Sequence, residues 1–229
     1  MSFKHLFTPH EIRGHEIRNR IFSTAHQTIL AKNGSPTDEM AAYHEARARG
    51  GAGLIIMESS RPYADDVSES YFIDSSTDAC IPGYKKAADA VHKHGTKVFG
   101  QINHGGRISR MHNGMNLVSH APSAVPDHRF HCMPRVMSVE YIHTIINAFA
   151  AAAGRMMEAG LDGVELTASH GMLMAQFLNP LTNHREDEYG GSPENRFRFV
   201  GELIAATRKV VGEDKVVGKR VAVIGAGFT

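Results

Sequence analysis

Apolar residues along this chain fall into two alternating regimes. Short, nearly continuous runs occur at residues 21–25, 54–58, 97–103, 163–166 and 215–219. Runs that brief, without strict alternation, fit parallel strands covered on both faces. Between them, apolar residues return at helical spacing. Ile142, Ile145, Ile146, Phe149, Ala153, Met156 and Met157 form one stripe, and Val200, Leu203, Ile204, Thr207 and Val211 another. A further helix is predicted over residues 82–94. The boundaries carry matching chemistry. Thr37, Ser138 and Ser192 stand where helix caps belong, with Asp38 and Glu39 suiting a positive helix end and Pro193 the first helical position. Gly50 with Gly51, Gly95 and Gly160 provide the stops. Ahead of this series, residues 12–21 predict a hairpin with Gly14 at its turn and Ile12 and Ile17 on one side, sized to plug one end of a barrel. Strand and helix alternate thereafter with no tight strand-to-strand turn, which predicts a parallel α/β sheet. Residues 108–135, rich in Pro, His, Ser and Met, have no clear period and read as a long functional loop.

Composition narrows the function. A formal net charge of +1 with both signs interspersed argues against nucleic-acid and polybasic membrane surfaces. Cys80 and Cys132 lack metal-ligand spacing, so no metal site is expected, and a reduced cytoplasmic protein is the plain reading. No apolar run approaches the ~20 residues needed to span a bilayer, and the N-terminus lacks a signal peptide's apolar core. Asn33-Gly34-Ser35 reads as a turn. With no tryptophan in the chain, any bound chromophore would be easy to see.

In parallel α/β folds reactive groups sit at the carboxyl ends of strands. His170 follows the fourth run there, in Thr167-Ala168-Ser169-His170-Gly171, and is a candidate catalytic or ligand-binding residue. Gln101 in the third strand, read alone, is as well explained as a core or rim residue. His128 and His131 in the long loop read as solvated, and Glu194 and Arg196 as structural ion-pairing groups at a helix start.

Five motifs in order then point to a family. They are Arg18-Asn19-Arg20-Ile21; Arg47-Ala48-Arg49-Gly50-Gly51-Ala52-Gly53-Leu54; Gln101-Ile102-Asn103-His104-Gly105-Gly106-Arg107; Asp162-Gly163-Val164-Glu165; and Gln176-Phe177-Leu178-Asn179-Pro180 followed by Asp187-Glu188-Tyr189-Gly190-Gly191 and Glu194-Asn195-Arg196. Over residues 3–220 the chain resembles the FMN-binding barrel of the old yellow enzyme superfamily, most of all its long members such as 2,4-dienoyl-CoA reductase, trimethylamine and dimethylamine dehydrogenases and related N-demethylases. The resemblance implies a (β/α)8 TIM barrel of the FMN-linked oxidoreductase type. It implies hydride transfer between flavin N5 and a small-molecule substrate, with NAD(P)H as a reductant of the full-length parent. Carried over by position, Thr24, Ala25, His26 and Gln27 would lie beside the flavin. Ser59 would touch its pyrimidine side, Gln101 would bond the pyrimidine edge and Arg220 would stand near N1. His170, paired with Thr167, would hydrogen-bond the substrate.

The chain also departs from that pattern. Ene-reductases of the family use two donors, His with His or His with Asn, where this chain has Thr167 and His170, and a proton-donating Tyr where it has Met172. A thioether donates no proton, so oxidative N-demethylation is favoured over C=C reduction of enoates or 2,4-dienoyl-CoA esters. Gln27 occupies the position of the Cys that tethers FMN in the amine dehydrogenases, so the flavin is expected to be non-covalent. A full barrel takes ~250 residues, whereas five strands are counted before Arg220. The expectation is an incomplete barrel, about five of eight βα units, over residues 1–220. Residues 221–229 resemble the first strand and glycine turn of a dinucleotide-binding domain, with only Gly225 and Gly227 of its fingerprint. A truncated product lacking the phosphate site is expected, either catalytically inert or completed as a homo-oligomer or by a complementing chain.

Overall fold

Four of the apolar runs pair side by side in the order in which they occur. In the computed structural model, which describes residues 3–12, 15–66, 70–108, 118–129, 131 and 133–212, the chain opens with β1 (His10–Ile12) and β2 (His15–Ile17). It continues through β3 (Phe22–Ser23), α1 (Asp38–Arg49), β4 (Leu54–Arg61), β5 (Ile73–Asp74), α2 (Ile81–His92) and β6 (Lys97–Ile102). Then come β7 (His120–Ala121), β8 (Arg135–Val136), α3 (Val139–Glu158), β9 (Gly163–Leu166), α4 (Leu173–Leu178) and α5 (Pro193–Val211). The main sheet is parallel and runs β3-β4-β6-β9, with β5 added to β4. Each new strand joins beside the last with no reversal of order, which is the winding of successive units in a (β/α)8 barrel rather than of a doubly wound sheet. The expected fifth strand, Arg220 and the glycines at 225–227 lie outside the described residues, as do Gly14 and Cys132.

The helix starts follow the sequence chemistry. Thr37 accepts from the Met40 N–H at 3.2 Å, Ser138 from Tyr141 at 3.1 Å and Ser192 from Asn195 at 3.2 Å. Each replaces a backbone partner missing from the first helical turn. Asn33 and Gly34 both have positive φ, and Lys32 and Ser35 exchange two backbone hydrogen bonds across them, so the expected turn is present.

The sheet has two differently filled faces. Ile55, Met57, Val98, Ile102, Val164 and Leu166 meet the helices in the large core, against Met40, Val91, Ile142, Phe149 and Met156. On the opposite face Leu54, Ile56 and Phe99 pack with Ile17, flanked by Ile12 and Ala25. The antiparallel hairpin thus covers one end of the inner face, as its apolar residues predicted.

Two of the recurring motifs lie at the amino-terminal end of the strands and hold the frame. The Arg18 guanidinium donates to the carbonyls of Ala48, Ala52 and His94, at 2.9, 2.9 and 2.6 Å. Asn19 Nδ2 donates to Gly51 O at 2.7 Å. Asp162 accepts from Val98 N at 2.9 Å, His92 Nε2 at 2.7 Å and Lys97 Nζ at 2.8 Å. Burial alone would raise its carboxyl, but those three donors outweigh burial and lower it to about 2.

Within the long loop, β7 pairs in parallel with β8 at the loop's carboxyl end. Asp65, on the single 3-10 turn after β4, draws in three elements. It accepts from Tyr141 Oη at the start of α3, and its oxygens lie 3.3 Å from His104 Nε2 and 3.0 Å from His120 Nδ1. Gly106 N–H donates to His104 Nδ1 at 3.0 Å, which leaves Nε2 as the side that carries hydrogen toward Asp65. His128 and His131 are exposed, as expected. Among the described residues no helix is long and apolar enough to cross a membrane, and no group of His, Cys, Asp and Glu side chains stands ready for a metal ion. Cys80 is a free, buried thiol, pushed up by that burial to about 11.

Candidate functional site

Strand parity decides which side chains enter the barrel interior. From Leu54 and Ile56, simple alternation would send Glu58 inward. Instead β4 carries an extra residue: Ile56 pairs with Phe99, but the next recorded pair is Ser59 with Gln101. Such a bulge re-aims the side chains beyond it. Ser59 therefore joins Gln101, and Gln101 in turn faces Glu165 on β9. A polar row, Ser59–Gln101–Glu165, crosses three strands above the apolar layer of Ile56 and Phe99. Gln101 Nε2 donates to Glu165 Oε1 at 2.5 Å. Burial pushes the Glu165 carboxyl above its usual range, and the Gln101 hydrogen bond only partly opposes it.

One step further along β6 and β9, Asn103 and Thr167 follow with the same parity. Asn103 is 3 % exposed and Thr167 9 %. Asn103 Oδ1 and Thr167 Oγ1 have no hydrogen-bond partner among the described residues. Buried polar atoms of this kind normally have one. Sequence reading singled out Thr167 through the family pattern but passed over Asn103, whose only signal was its place two residues beyond Gln101.

The bulge gives Glu58 a separate task. It is fully buried and turns toward the segment after β3, where it accepts from Thr28 N at 2.8 Å, from the Thr28 hydroxyl, and from Gln27 Nε2 at 3.0 Å. Burial raises its carboxyl, while the Thr28 bonds act against that shift. Gln27 is thus committed to a neighbouring strand. Sequence reading missed Glu58, although an acid closing an apolar strand run was the visible clue. His26 is exposed and bonds Tyr43 Oη of α1 and the Thr24 carbonyl, Thr24 is exposed, and Ala25 packs beside the inner cluster.

The turn after β9 presents His170. This residue is exposed with φ 56°, followed by Gly171 at φ 68°, and its Nδ1 lies 2.7 Å from Ser169 Oγ. The adjacent hydroxyl thus engages Nδ1 and leaves Nε2 as the second ring nitrogen. Gln176 on α4 fixes this turn to the loop after β6. It is 2 % exposed; Nε2 donates to Gly105 O at 2.9 Å and Gly171 O at 2.7 Å, and Oε1 accepts from Arg107 N at 3.1 Å. Gly106, with φ 61°, passes so close that any Cβ would collide with the Gln176 amide. Beneath α4, Asn183 Nδ2 donates to Phe177 O and Tyr189 O, both at 2.8 Å, and Tyr189 Oη donates to Glu202 at 2.7 Å. Arg196 donates to the carbonyls of Leu178 and Gly191, a structural role met by backbone oxygens rather than by the expected ion pair.

The structure therefore brings Ser59, Gln101 and Thr167 onto one inner surface, ties Gln27 to its edge, and sets His170 on the rim. This arrangement offers both donors and acceptors to a planar polar ligand. A comparison of the chain with protein families matches the NADH:flavin oxidoreductase / NADH oxidase family over residues 5–227. The chain is 44% identical over 227 residues to N,N-dimethylglycine/sarcosine dehydrogenase of Chromohalobacter salexigens, covering 96% of this chain and 32% of that protein. It is 40% identical over 222 residues to NADH oxidase of Thermoanaerobacter brockii, covering 95% and 34%. Among solved structures, morphinone reductase superposes with a TM-score of 0.86 at 31% identity, covering 94% of this chain and 62% of that one. The chain thus spans about a third of the length of the two enzymes matched by sequence.

Proposed function

The chain belongs to the NADH:flavin oxidoreductase / NADH oxidase family, and on that footing we propose that it forms part of an FMN-dependent oxidoreductase acting on small N-methylated amines. The reading rests most on the inner polar surface, where Ser59 and Gln101 stand in register and two buried polar atoms above them, Asn103 Oδ1 and Thr167 Oγ1, lack partners among the described residues. These groups suit the flavin's polar pyrimidine edge and the substrate beside it. Gln101 and Ser59 would hold the former, and Thr167 and His170 the latter, with the segment Thr24, Ala25, His26 and Gln27 flanking the ring. Arg220 would add a cation near N1. FMN held non-covalently supplies a hydride acceptor or donor at N5.

The chain's own residues then set the substrate class. In the tautomer whose Nδ1–H donates to Ser169 Oγ, His170 Nε2 would accept the proton of an ammonium group and release the neutral amine that oxidation requires. The Thr167 hydroxyl can orient the same nitrogen. Met172 offers no proton, so the saturation of a C=C bond, which needs one delivered to carbon, lacks its donor. The buried side chains of Gln176 and Glu58, the latter as an acceptor, keep both loops in place and need not touch the substrate. NAD(P)H is the proposed reductant and the cytoplasm the proposed compartment.

The test is a visible spectrum of the purified protein, followed by anaerobic titration with sarcosine or N,N-dimethylglycine. Stoichiometric FMN and bleaching by the amine are expected. A colourless protein would overturn the cofactor assignment. Rapid reoxidation of the reduced protein by cyclohexenone, with no bleaching by either amine, would overturn the substrate class.

A further inference from the structure

The acid of the inner row has no part in the reading above. Glu165 faces Gln101 across β6 and β9, and its Oε1 receives Gln101 Nε2 at 2.5 Å. Among the described residues it forms no ion pair, so the carboxamide is the group that answers its charge. An ionised carboxylate is acceptor-only, whereas a carboxamide has a donor branch and an acceptor branch on opposite sides of one plane. Glu165 can therefore be satisfied by the NH2 branch alone. A half-turn of the amide would set two oxygens against each other within a partly buried row, where water cannot readily relieve the clash.

We propose that Glu165 is a positioning residue: by holding the NH2 branch of Gln101, it turns Oε1 toward the bound ligand and fixes the order in which Gln101 offers acceptor and donor. The inference rests on the reading that FMN occupies the inner surface. A flavin's pyrimidine edge carries one N–H, at N3, between two carbonyl oxygens, so an oriented carboxamide can distinguish one register along that edge from its neighbour. Without Glu165 the amide would be free to present either branch. The Ser59 side of the row offers only a hydroxyl, which adapts as donor or acceptor and imposes no direction. Burial of Glu165 strengthens the arrangement from the other side, since its charge relies on the same hydrogen bond.

Two measurements test it. The first needs no flavin: the side-chain amide protons of Gln101, observed by 1H–15N NMR and assigned with Gln101→Asn. The proton donated to Glu165 should lie well downfield of its twin. That separation should collapse in Glu165→Ala and largely return in Glu165→Gln, which restores an acceptor oxygen at the same reach. A wild-type signal without the separation overturns the proposal, whether or not the variants fold. The second compares the affinities of FMN and 3-methyl-FMN. Steric exclusion of the methyl group is common to all variants, so the change in preference reports orientation. The preference for FMN should fall by about fivefold in Glu165→Ala, the weight of one misdirected hydrogen bond, and recover in Glu165→Gln. An unchanged preference in Glu165→Ala also overturns it. A wild type that shows the separated amide signal yet binds no FMN would instead defeat the cofactor assignment and leave the orienting contact standing.

Discussion

Replacing Gln176 with leucine isolates the clamp between the loops after β6 and β9. The native amide is 2 % exposed and makes three hydrogen bonds, to Gly105 O, Gly171 O and Arg107 N. Leucine has similar bulk but meets none of them, so two carbonyls and one N–H lose their partner while the side chain still fills the space between them. At about 1 kcal/mol for each lost bond, the cost is about 3 kcal/mol. In a domain of this size that lowers the melting temperature by about 6–12 °C. Gln176→Ala removes the same groups but opens a polar gap in which water can bond the orphans, so it should cost less despite deleting more atoms. Circular dichroism at the helix band suits the measurement, since the chain has no tryptophan for fluorescence. A leucine variant melting within about 2 °C of wild type, or one more stable than the alanine variant, would refute the view that these bonds hold the turn bearing His170.

Gly106→Ala should destabilise by about 2–3 kcal/mol, from its positive φ and the collision with Gln176; in the double variant with Gln176→Ala, chemical denaturation should give less than the sum of the two losses. Glu58→Gln replaces an acceptor of three hydrogen bonds by a group with one acceptor oxygen, and should cost about 1–2 kcal/mol and weaken flavin uptake, measured by equilibrium dialysis. Asp162 has a folded-state carboxyl lowered from 3.8 to about 2, so its contribution is complete above 3.8 and fades as pH falls through about 2. Urea titrations of wild type and Asp162→Asn should accordingly differ by about 1–2 kcal/mol at pH 5, after allowance for solvent screening, and converge only as pH falls below the folded-state value. His170→Ala should retain FMN but reduce flavin by amine about a hundredfold more slowly in stopped flow.

Much of the frame could be read directly. The both-faces-buried runs of β4, β6 and β9 announce parallel strands, and Thr37, Ser138 and Ser192 cap the helices as their side chains suggest. The strands β5, β7 and β8 escaped, because they are too short to carry a period and exist through backbone pairing between distant segments. The site was legible where family motifs named a residue, as for Gln101 and Thr167. It was not legible where geometry reassigned one. Nothing local to Arg18 reveals that its guanidinium serves carbonyls 30 to 76 residues further along the chain, and Gln176 reads as a plain polar helix position until its three loop partners are in view.

The irregularity in β4 has a consequence for how the segment after β3 is tethered. Met57 and Glu58 together face the single Gly100, so the strand without Glu58 would pair evenly, with Met57 still toward the helices and Ser59 still inward. Glu58 is in effect a one-residue insertion whose side chain is given to Thr28 and Gln27. The tether on Thr28 and Gln27 can thus be deleted or reinstated without disturbing the register that seats Gln101, so the grip on one flank of the site and the polarity of its floor are free to vary separately.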